Sequence, residues 1–231
     1  MLSLKILLRS FLRRFGITKI LAKLFNPSEY EKKFDNAMFE NIKPGDILWD
    51  IGANIGYYTV KFSEAVSENG EVYGFEPIPE TFKILSNTTR SLSNVNLLCC
   101  ALGQEDGSLL MSNDPNIGSA TNKILISNSI ASAKNSVFIK VRSADSLIES
   151  GELEIPNFIK IDVEGHENDV FNGMSKLLKE SRLHTLAVEI HFTILEERGN
   201  KNAPSNIVAI LRNNGFNVHW VDHSHILATR N

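Results

Sequence analysis

Residues 50–56 read Asp-Ile-Gly-Ala-Asn-Ile-Gly and follow an apolar run, which is typical of a strand that turns through glycines into a helix. Glycine lets the backbone approach a ligand closely, and the start of a helix presents free N–H groups to it. Gly52 and Gly56 are spaced GxxxG rather than GxGxxG. The spacing therefore argues against the pyrophosphate-binding turn of a dinucleotide oxidoreductase and favours a ligand without phosphates to bind.

A second candidate residue is Glu76, which ends the next predicted strand, 24 residues after Gly52. A carboxylate at that place can accept hydrogen bonds from both hydroxyls of a ribose. Taken alone, a solvated glutamate at a strand end is the simpler interpretation. Together with the glycine turn, Glu76 predicts a nucleoside-binding site.

Ionisable residues also gather at the ends of two later apolar runs. Residues 159–167 read Ile-Lys-Ile-Asp-Val-Glu-Gly-His-Glu, and residues 187–191 read Ala-Val-Glu-Ile-His. Carboxylates and imidazoles at the ligand-facing edge of a sheet are costly to bury unless they bind something. Either group alone could be a helix cap or an ion pair. Together they are expected to surround the opening of a single ligand-binding site.

These segments, in this order, resemble the FkbM-type S-adenosylmethionine-dependent methyltransferases. The resemblance spans about residues 46–195, and five segments carry it: 50–56, 75–77 (Phe-Glu-Pro), 101–103 (Ala-Leu-Gly), 159–165 and 188–191. It implies a Rossmann-like class I methyltransferase fold, which is an α/β fold with a mostly parallel seven-stranded sheet. It also implies O-methylation of a hydroxyl on a sugar, a glycan or a natural product.

The resemblance further implies roles for individual residues. The methionine end of S-adenosylmethionine would be held by Asp50, Gly52, Ala53, Asn54 and Gly56. Glu76 would bind the ribose, and Ala101 and Leu102 would flank the adenine, mainly through backbone and apolar contacts. Asp162 would face the amine of the cofactor or the acceptor.

Methyl transfer to an alcohol needs alignment and a base. Aligning the acceptor oxygen with the methyl carbon can supply about 7–11 kcal/mol, and a positioned base adds roughly 10²–10⁴-fold. The candidate bases are Asp162, Glu164 and His191, of which the last two are preferred because the cofactor does not already claim them. The same three residues could instead hold a divalent cation such as Mg²⁺ that lowers the pKa of the hydroxyl. The sequence leaves the choice between base and metal open.

Short β-rich runs alternate with helical patterns from residue 46 onward. The predicted strands are 47–51, 71–75, 95–100, 158–163 and 186–191, with a closing hairpin of 216–221 and 226–229. Near-continuous apolar strands that alternate with helices imply a parallel sheet covered on both faces. The polar residues 103–145, with weak strand candidates at 108–111 and 137–141, are expected to form a substrate-side insertion over the carboxyl edge.

The 231 residues are 42% apolar, which excludes a disordered chain. Residues 1–25 form a predicted basic amphipathic helical segment that precedes a methyltransferase domain over 26–231. Six of the 24 basic residues lie in this segment without an acidic one, which leaves 18 against 27 acidic residues and a net charge of −9 for the rest. A region with this negative net charge does not suit a nucleic-acid partner, whose phosphates need many cationic side chains. The segment could pack on the domain, serve as a targeting sequence, or anchor the protein peripherally to an anionic membrane surface.

The two cysteines, Cys99 and Cys100, are adjacent and are expected to be buried thiols in a reducing compartment. The expected location is cytoplasmic, at the inner membrane surface if residues 1–25 act as an anchor. Three other functions compete with a small-molecule or glycan O-methyltransferase. They are a methyltransferase acting on nucleic acid or protein, a nicotinamide-dependent oxidoreductase, and a catalytically silent binding domain.

Overall fold

The computed structural model describes residues 29–112 and 136–230. The predicted basic segment over residues 1–25 and the central part of the predicted insertion lie outside the described residues. The described helices are α1 (Glu29–Phe39), α2 (Tyr57–Val66), α3 (Pro79–Thr89), α4 (Ala144–Glu149), α5 (Glu167–Asn172), α6 (Phe192–Glu197) and α7 (Ala203–Asn213). No helix within these two ranges is long and apolar enough to cross a membrane.

Ten strands follow one another along the described chain. They are β1 (Ile47–Ile51), β2 (Glu71–Phe75), β3 (Val95–Leu98), β4 (Ala101–Leu102), β5 (Gly107–Ser112), β6 (Ser136–Arg142), β7 (Phe158–Ile161), β8 (Thr185–Glu189), β9 (Asn217–Trp220) and β10 (His225–Thr229). Seven form one sheet in the order β3-β2-β1-β7-β8-β10-β9. Only β10 runs antiparallel to its neighbours, β8 and β9, which confirms the predicted fold class and its closing hairpin.

Strand β1 lies where the strand order reverses. It pairs in parallel with β2 on one side, Asp50 opposite Gly74, and with β7 on the other, Asp50 opposite Lys160. In open α/β sheets, ligands bind outside the carboxyl ends of the strands at such a switch point. The loops that follow β1 and β7 therefore meet at the edge where a ligand is expected.

The sheet is covered on both faces by apolar side chains. All five residues of β1 are buried, and its alternate positions serve opposite faces. Trp49 and Ile51 belong to one core cluster, while Leu48 packs in a second one with Phe62 and Phe158. This arrangement explains why the strands read as continuous apolar runs in the sequence.

A second, three-stranded sheet has the order β4-β6-β5. Strands β5 and β6 pair antiparallel and extend the two weak strand candidates by one residue at each end. One sequence prediction is wrong here: Cys100 is buried, but Cys99 is exposed. Strand β3 ends at Leu98, so Cys99 lies on the turn between two sheets and not inside a buried strand.

Candidate active site

The loop after β1 is held by backbone hydrogen bonds. The N–H groups of Gly52 and Ala53 both donate to the carbonyl oxygen of Phe75, at 3.1 and 2.9 Å. Gly52 has a φ of +82°, and a Cβ there would lie 1.9 Å from the carbonyl oxygen of Asp162. Only glycine fits this position, because the loops after β1 and β7 are in direct contact.

Glu76 joins the loop after β1 to the one after β2. Its buried carboxylate accepts the Asn54 N–H at Oε2, 3.1 Å, and the Ile78 N–H at Oε1, 2.9 Å. Burial raises the pKa of Glu76 to about 7, although the two backbone N–H groups oppose that rise. A carboxylate has about four lone-pair sites, so two remain for further donors. Asn54, whose N–H makes this contact, has a φ of 52°, in the left-handed region.

A buried lysine links the two halves of the sheet edge. The Lys160 Nζ lies 3.4 Å from Asp50 Oδ1 and 3.3 Å from Asp162 Oδ2. Burial alone would lower the pKa of Lys160, but the carboxylates of Asp162 and Asp50 outweigh it and raise that pKa above its ordinary value. Asp50 is fully buried and also accepts a hydrogen bond from the Thr59 hydroxyl at 2.7 Å. The lysine therefore stays charged between two carboxylates.

His191 lies at the centre of the acidic cluster after β7 and β8. Its Nε2 is 3.3 Å from Glu164 Oε2, 3.7 Å from Asp162 Oδ1 and 3.8 Å from Glu189 Oε1. Burial would lower the pKa of His191, but the neighbouring carboxylates, Glu167 foremost, raise it to about 9. Burial also raises the pKa of Glu164 to about 7, against the attraction of His191. The structure thus brings all three sequence-predicted catalytic residues together.

Glu167 holds His191 from the other side of the imidazole ring. It is fully buried at the start of α5, and its Oε1 lies 2.7 Å from His191 Nδ1 and accepts the Gly165 N–H at 3.0 Å. Its Oε2 has no hydrogen-bond partner within the described ranges. A carboxylate at Nδ1 keeps the proton on that nitrogen, which leaves Nε2 as the atom that exchanges a proton on the side of Asp162 and Glu164.

The same cluster could hold a cation. Asp162, Glu164 and His191 each offer one ligand atom, and these atoms lie within 4.8 Å of one another. Two carboxylates and an imidazole suit several divalent cations. However, an imidazole whose pKa is about 9 carries a proton on Nε2 at neutral pH and must release it before it can bind a metal.

The other predicted cofactor residues lie on two elements, the start of α2 and strand β4 of the three-stranded sheet. Gly56 has a φ of +94° and forms the N-cap of α2. Ala101 is half-buried on β4, while Leu102 packs in the core. His166 pairs with Asp169 at 3.1 Å instead of joining the cluster.

Three residues with roles in this geometry were not singled out from the sequence: Lys160, Glu167 and Glu189. A lysine inside the apolar run 158–161 was the available signal for the first. Glu167 and Glu189 were visible as acidic residues in the two clusters, but nothing in their spacing showed which imidazole they approach.

The strand order and the ligand-facing edge define a class I S-adenosylmethionine-dependent methyltransferase fold. Fibrillarin from Aeropyrum pernix, solved with natively bound S-adenosyl-L-methionine, superposes with a TM-score of 0.50 at 13% sequence identity, over 85% of this chain and 74% of that one. Residues 50–218 match the family model described as the methyltransferase FkbM domain. The chain therefore belongs to the FkbM methyltransferase family.

Two relatives show how the chain compares within this family. It is 35% identical over 155 residues to the hexuronic acid methyltransferase AglP of Haloferax volcanii, a match that covers 67% of this chain but 59% of that protein. It is 26% identical over 204 residues to the 31-O-demethyl-FK506 methyltransferase FkbM of Streptomyces tacrolimicus, covering 77% of this chain and 75% of that one. The first of these relatives thus extends well beyond the region matched here.

Proposed function

We propose that the protein is an S-adenosylmethionine-dependent O-methyltransferase that methylates a hydroxyl of a sugar, a glycan or a natural product. The observation that carries the proposal is the contact between Gly52 and the Asp162 carbonyl, which joins the glycine loop to the cluster around His191. The names of the two relatives, which refer to a hexuronic acid and to an O-demethylated natural product, support this acceptor class.

On the cofactor side, we assign the ribose to Glu76 and the methionine end to the loop over residues 52–56. Glu76 retains two acceptor sites beyond its bonds to Asn54 and Ile78, which matches the two hydroxyls of a ribose. Under this proposal, the charged network of Asp50, Lys160 and Asp162 orients the amino acid moiety of the cofactor. Bound S-adenosylmethionine would supply a methyl group on a sulfonium, whose C–S bond breaks as the acceptor oxygen attacks.

On the acceptor side, His191 Nε2 accepts the proton that the hydroxyl loses. Glu167 holds Nδ1 and so fixes which nitrogen reacts. His191 must be neutral to act as a base. The positive charge of a bound sulfonium would lower the pKa of His191 from about 9 toward neutrality. Glu164 and Asp162 then stabilise the imidazolium that forms. A base placed in this way contributes roughly 10²–10⁴-fold to the rate.

In a second mechanism, the same three residues bind a divalent cation. The geometry of Asp162, Glu164 and His191 is the observation that favours it. Activity that is lost in a chelator and restored by Mg²⁺ supports the metal. Activity that persists in the chelator supports the base.

Calorimetric titration tests the proposed cofactor. We expect the protein to bind S-adenosylmethionine and not NAD. Replacing the ribose acceptor, Glu76→Ala, should raise the Kd of S-adenosylmethionine more than about a hundredfold, because two hydrogen bonds to a charged group are lost. Glu71→Ala, at the other end of β2, is the matched control and should leave the Kd unchanged. An unaltered Kd in Glu76→Ala would discard the ribose assignment.

Membrane contact through residues 1–25, a cytoplasmic location and the absence of a nucleic-acid partner stay predictions from the sequence. Imaging a fluorescent fusion with and without residues 1–25 tests the anchor. A full-length fusion distributed like the truncated one would contradict membrane contact.

A further inference from the structure

Two large aromatic side chains are exposed and stacked on each other at one end of the sheet. The rings of Phe192 and Trp220 have centroids 5.9 Å apart and planes inclined by 28°. Phe192 is 44% exposed and Trp220 is 37% exposed. Exposed apolar surface of this kind, when it is contiguous, marks an interaction site more often than scattered single residues do.

The pair lies beside the acidic cluster. Phe192 directly follows His191 in the chain, so their Cα atoms are about 3.8 Å apart. Trp220 ends β9, and β9 runs in the same direction as β8 because both are antiparallel to β10. Its carboxyl end therefore faces the same edge as the end of β8. Two strand spacings separate β8 from β9, which is about 10 Å. The aromatic pair thus extends from His191 along the rim of the candidate site.

The chemistry around the pair selects among possible acceptors. Glu164 and Glu189, both partly exposed, lie within 3.3 and 3.8 Å of His191 Nε2. Carboxylates that a ligand covers need hydrogen-bond donors from that ligand, or their desolvation is costly. His191 approaches both carboxylates and His225 approaches Glu189, but each carboxylate has about four acceptor sites, and an apolar acceptor would leave the remaining sites without donors. A polyhydroxylated ring offers hydroxyl donors at its rim and a face of C–H groups that suits the negative face of an aromatic ring.

The geometry points to Phe192 and Trp220 as the acceptor subsite, which holds a pyranose ring flat against the aromatic pair while one hydroxyl reaches His191 Nε2. This inference rests on the proposed methyl transfer and narrows its acceptor to a glycosyl group. Glu164 and Glu189 accept hydrogen bonds from other hydroxyls of the same or the adjoining sugar ring. The subsite thus positions the sugar ring, and His191 accepts the proton from its hydroxyl.

Saturation-transfer NMR and tryptophan fluorescence on the full chain test the subsite. The probes are methyl glucopyranoside, methyl glucopyranosiduronic acid and, as a ring without hydroxyls at its rim, cyclohexylmethanol. The protein has two tryptophans, of which Trp49 is fully buried, so a fluorescence change on binding reports on Trp220. We expect at least one pyranoside to bind, with saturation strongest on the C–H protons of one ring face.

The variants separate stacking from other effects. Phe192→Ala and Trp220→Ala should each raise the Kd of the pyranoside, read by NMR, about three- to tenfold. Trp220→Phe, which keeps a ring, should retain most of the affinity. Ile84→Ala is the matched control, because Ile84 is an exposed apolar residue on α3, at the other end of the sheet.

Several results would overturn the inference. They are the absence of binding by either pyranoside, binding that both alanine variants leave at the level of the Ile84→Ala control, and cyclohexylmethanol binding as tightly as the pyranosides. A dimer that Trp220→Ala dissociates, with pyranoside binding unchanged, would instead make the pair a contact between copies along the edge strand β9. Pyranoside binding by a protein that fails to bind S-adenosylmethionine would refute the proposed function and leave the subsite standing.

Discussion

The two halves of the ligand-facing edge are built by different means. After β1 and β2, the main chain makes most of the contacts: Gly52 and Ala53 donate to Phe75, and Asn54 donates to Glu76. After β7 and β8, side chains make them, because one imidazole, His191, lies within 3.8 Å of four carboxylates. A backbone-built half fixes a shape, whereas a half built from ionisable side chains fixes a charge and a proton affinity. The first suits a ligand that binds in the same pose at every turnover, and the second suits a reaction that moves a proton.

Lys160 shows that the two halves are nevertheless one unit. It lies between Asp50, on the backbone-built side, and Asp162, on the side-chain-built side. Three non-glycine residues among those described have a positive φ, and two of them, Asn54 and Glu164, lie one in each half. Backbone strain of this kind persists only where the surroundings hold it, and it is common at functional sites.

The largest expected effect is on the shape of the backbone-built half. Gly52→Ala should abolish S-adenosylmethionine binding and lower the free energy of unfolding by more than the left-handed conformation alone would, because the new Cβ meets the Asp162 carbonyl. Gly45→Ala is the matched control, since Gly45 has a φ of +90° and a Cβ there would meet no atom within 4 Å. It should cost only about 1–2 kcal/mol of stability. Chemical denaturation and calorimetry measure both, and equal effects in the two variants would contradict the contact.

The next largest effect is on the chemistry of the side-chain-built half. His191→Gln should lower kcat about 10²–10⁴-fold and leave the Kd of S-adenosylmethionine nearly unchanged, because the base is lost and the backbone loop is not. Turnover is measured with the pyranoside that the binding titrations select. His184→Gln, just before the amino end of the same strand, β8, is the control. A kcat within tenfold of the native value would remove His191 from the role of base.

A smaller effect, on the pKa of His191, should follow from removing the charge of Glu167. Glu167→Gln should lower the pKa of His191 from about 9 by about one or more pH units, because Glu167 is the carboxylate that raises it most. The pH at which activity rises should fall with it, which a merely structural role would not produce. NMR titration of the imidazole measures the pKa. Asp169→Asn, which breaks the His166 pair on the same helix, should leave the His191 pKa where it is.

The smallest effect is a dependence of stability on pH. Glu76 and Glu164 have folded pKa values of about 7, above the ordinary carboxyl value, and that of His191 is about 9, above the ordinary imidazole value. The folded state therefore binds more protons than the unfolded state. The stability from each group is complete below its unfolded pKa and is lost as the pH rises through its folded pKa.

The Tm without ligand should accordingly fall from about pH 5 to pH 9. The two carboxyls account for the loss between about pH 4.5 and 7. Above about pH 6.5 the loss comes from His191 and also from His225, whose pKa burial would lower but Glu189 and Asp222 raise. Differential scanning calorimetry measures it. In His191→Gln the upper part of the fall should flatten, while the lower part should persist. A Tm that rises over this range would show that the cluster is not held as the structure has it.

Sequence patterns were sufficient for the parts of the fold that depend on neighbours along the chain. Strands β1 and β2 have the predicted bounds, and β3, β7 and β8 each end two residues earlier than predicted. These strands end early for one reason: the chain turns away from the sheet once it reaches the ligand-facing edge. The exposure of Cys99 follows from the same turn. Apolar continuity identifies a buried strand well but marks its end poorly.

The candidate site divides in the same way. The glycine loop and Glu76 lie within 25 successive residues, and Asp162 and Glu164 lie within three. The partner of His191 Nδ1, in contrast, could have been any of several acidic residues. Only the position of α5 against the end of β8 brings Glu167, 24 residues away in the chain, to 2.7 Å. The stacking of Phe192 on Trp220 likewise requires the hairpin of β9 and β10 to pair with β8 through β10.

The sequence by itself determined the class of fold, the glycine turn and the set of ionisable residues, because strand periodicity and backbone freedom are properties of adjacent residues. Only the tertiary structure decided which carboxylate meets which imidazole, why Gly52 admits no side chain, and where the exposed aromatic pair lies. Those features depend on distances between strands that are far apart in the chain. Their energies come from burial and from the short distances between charged groups, and both exist only once the sheet has formed.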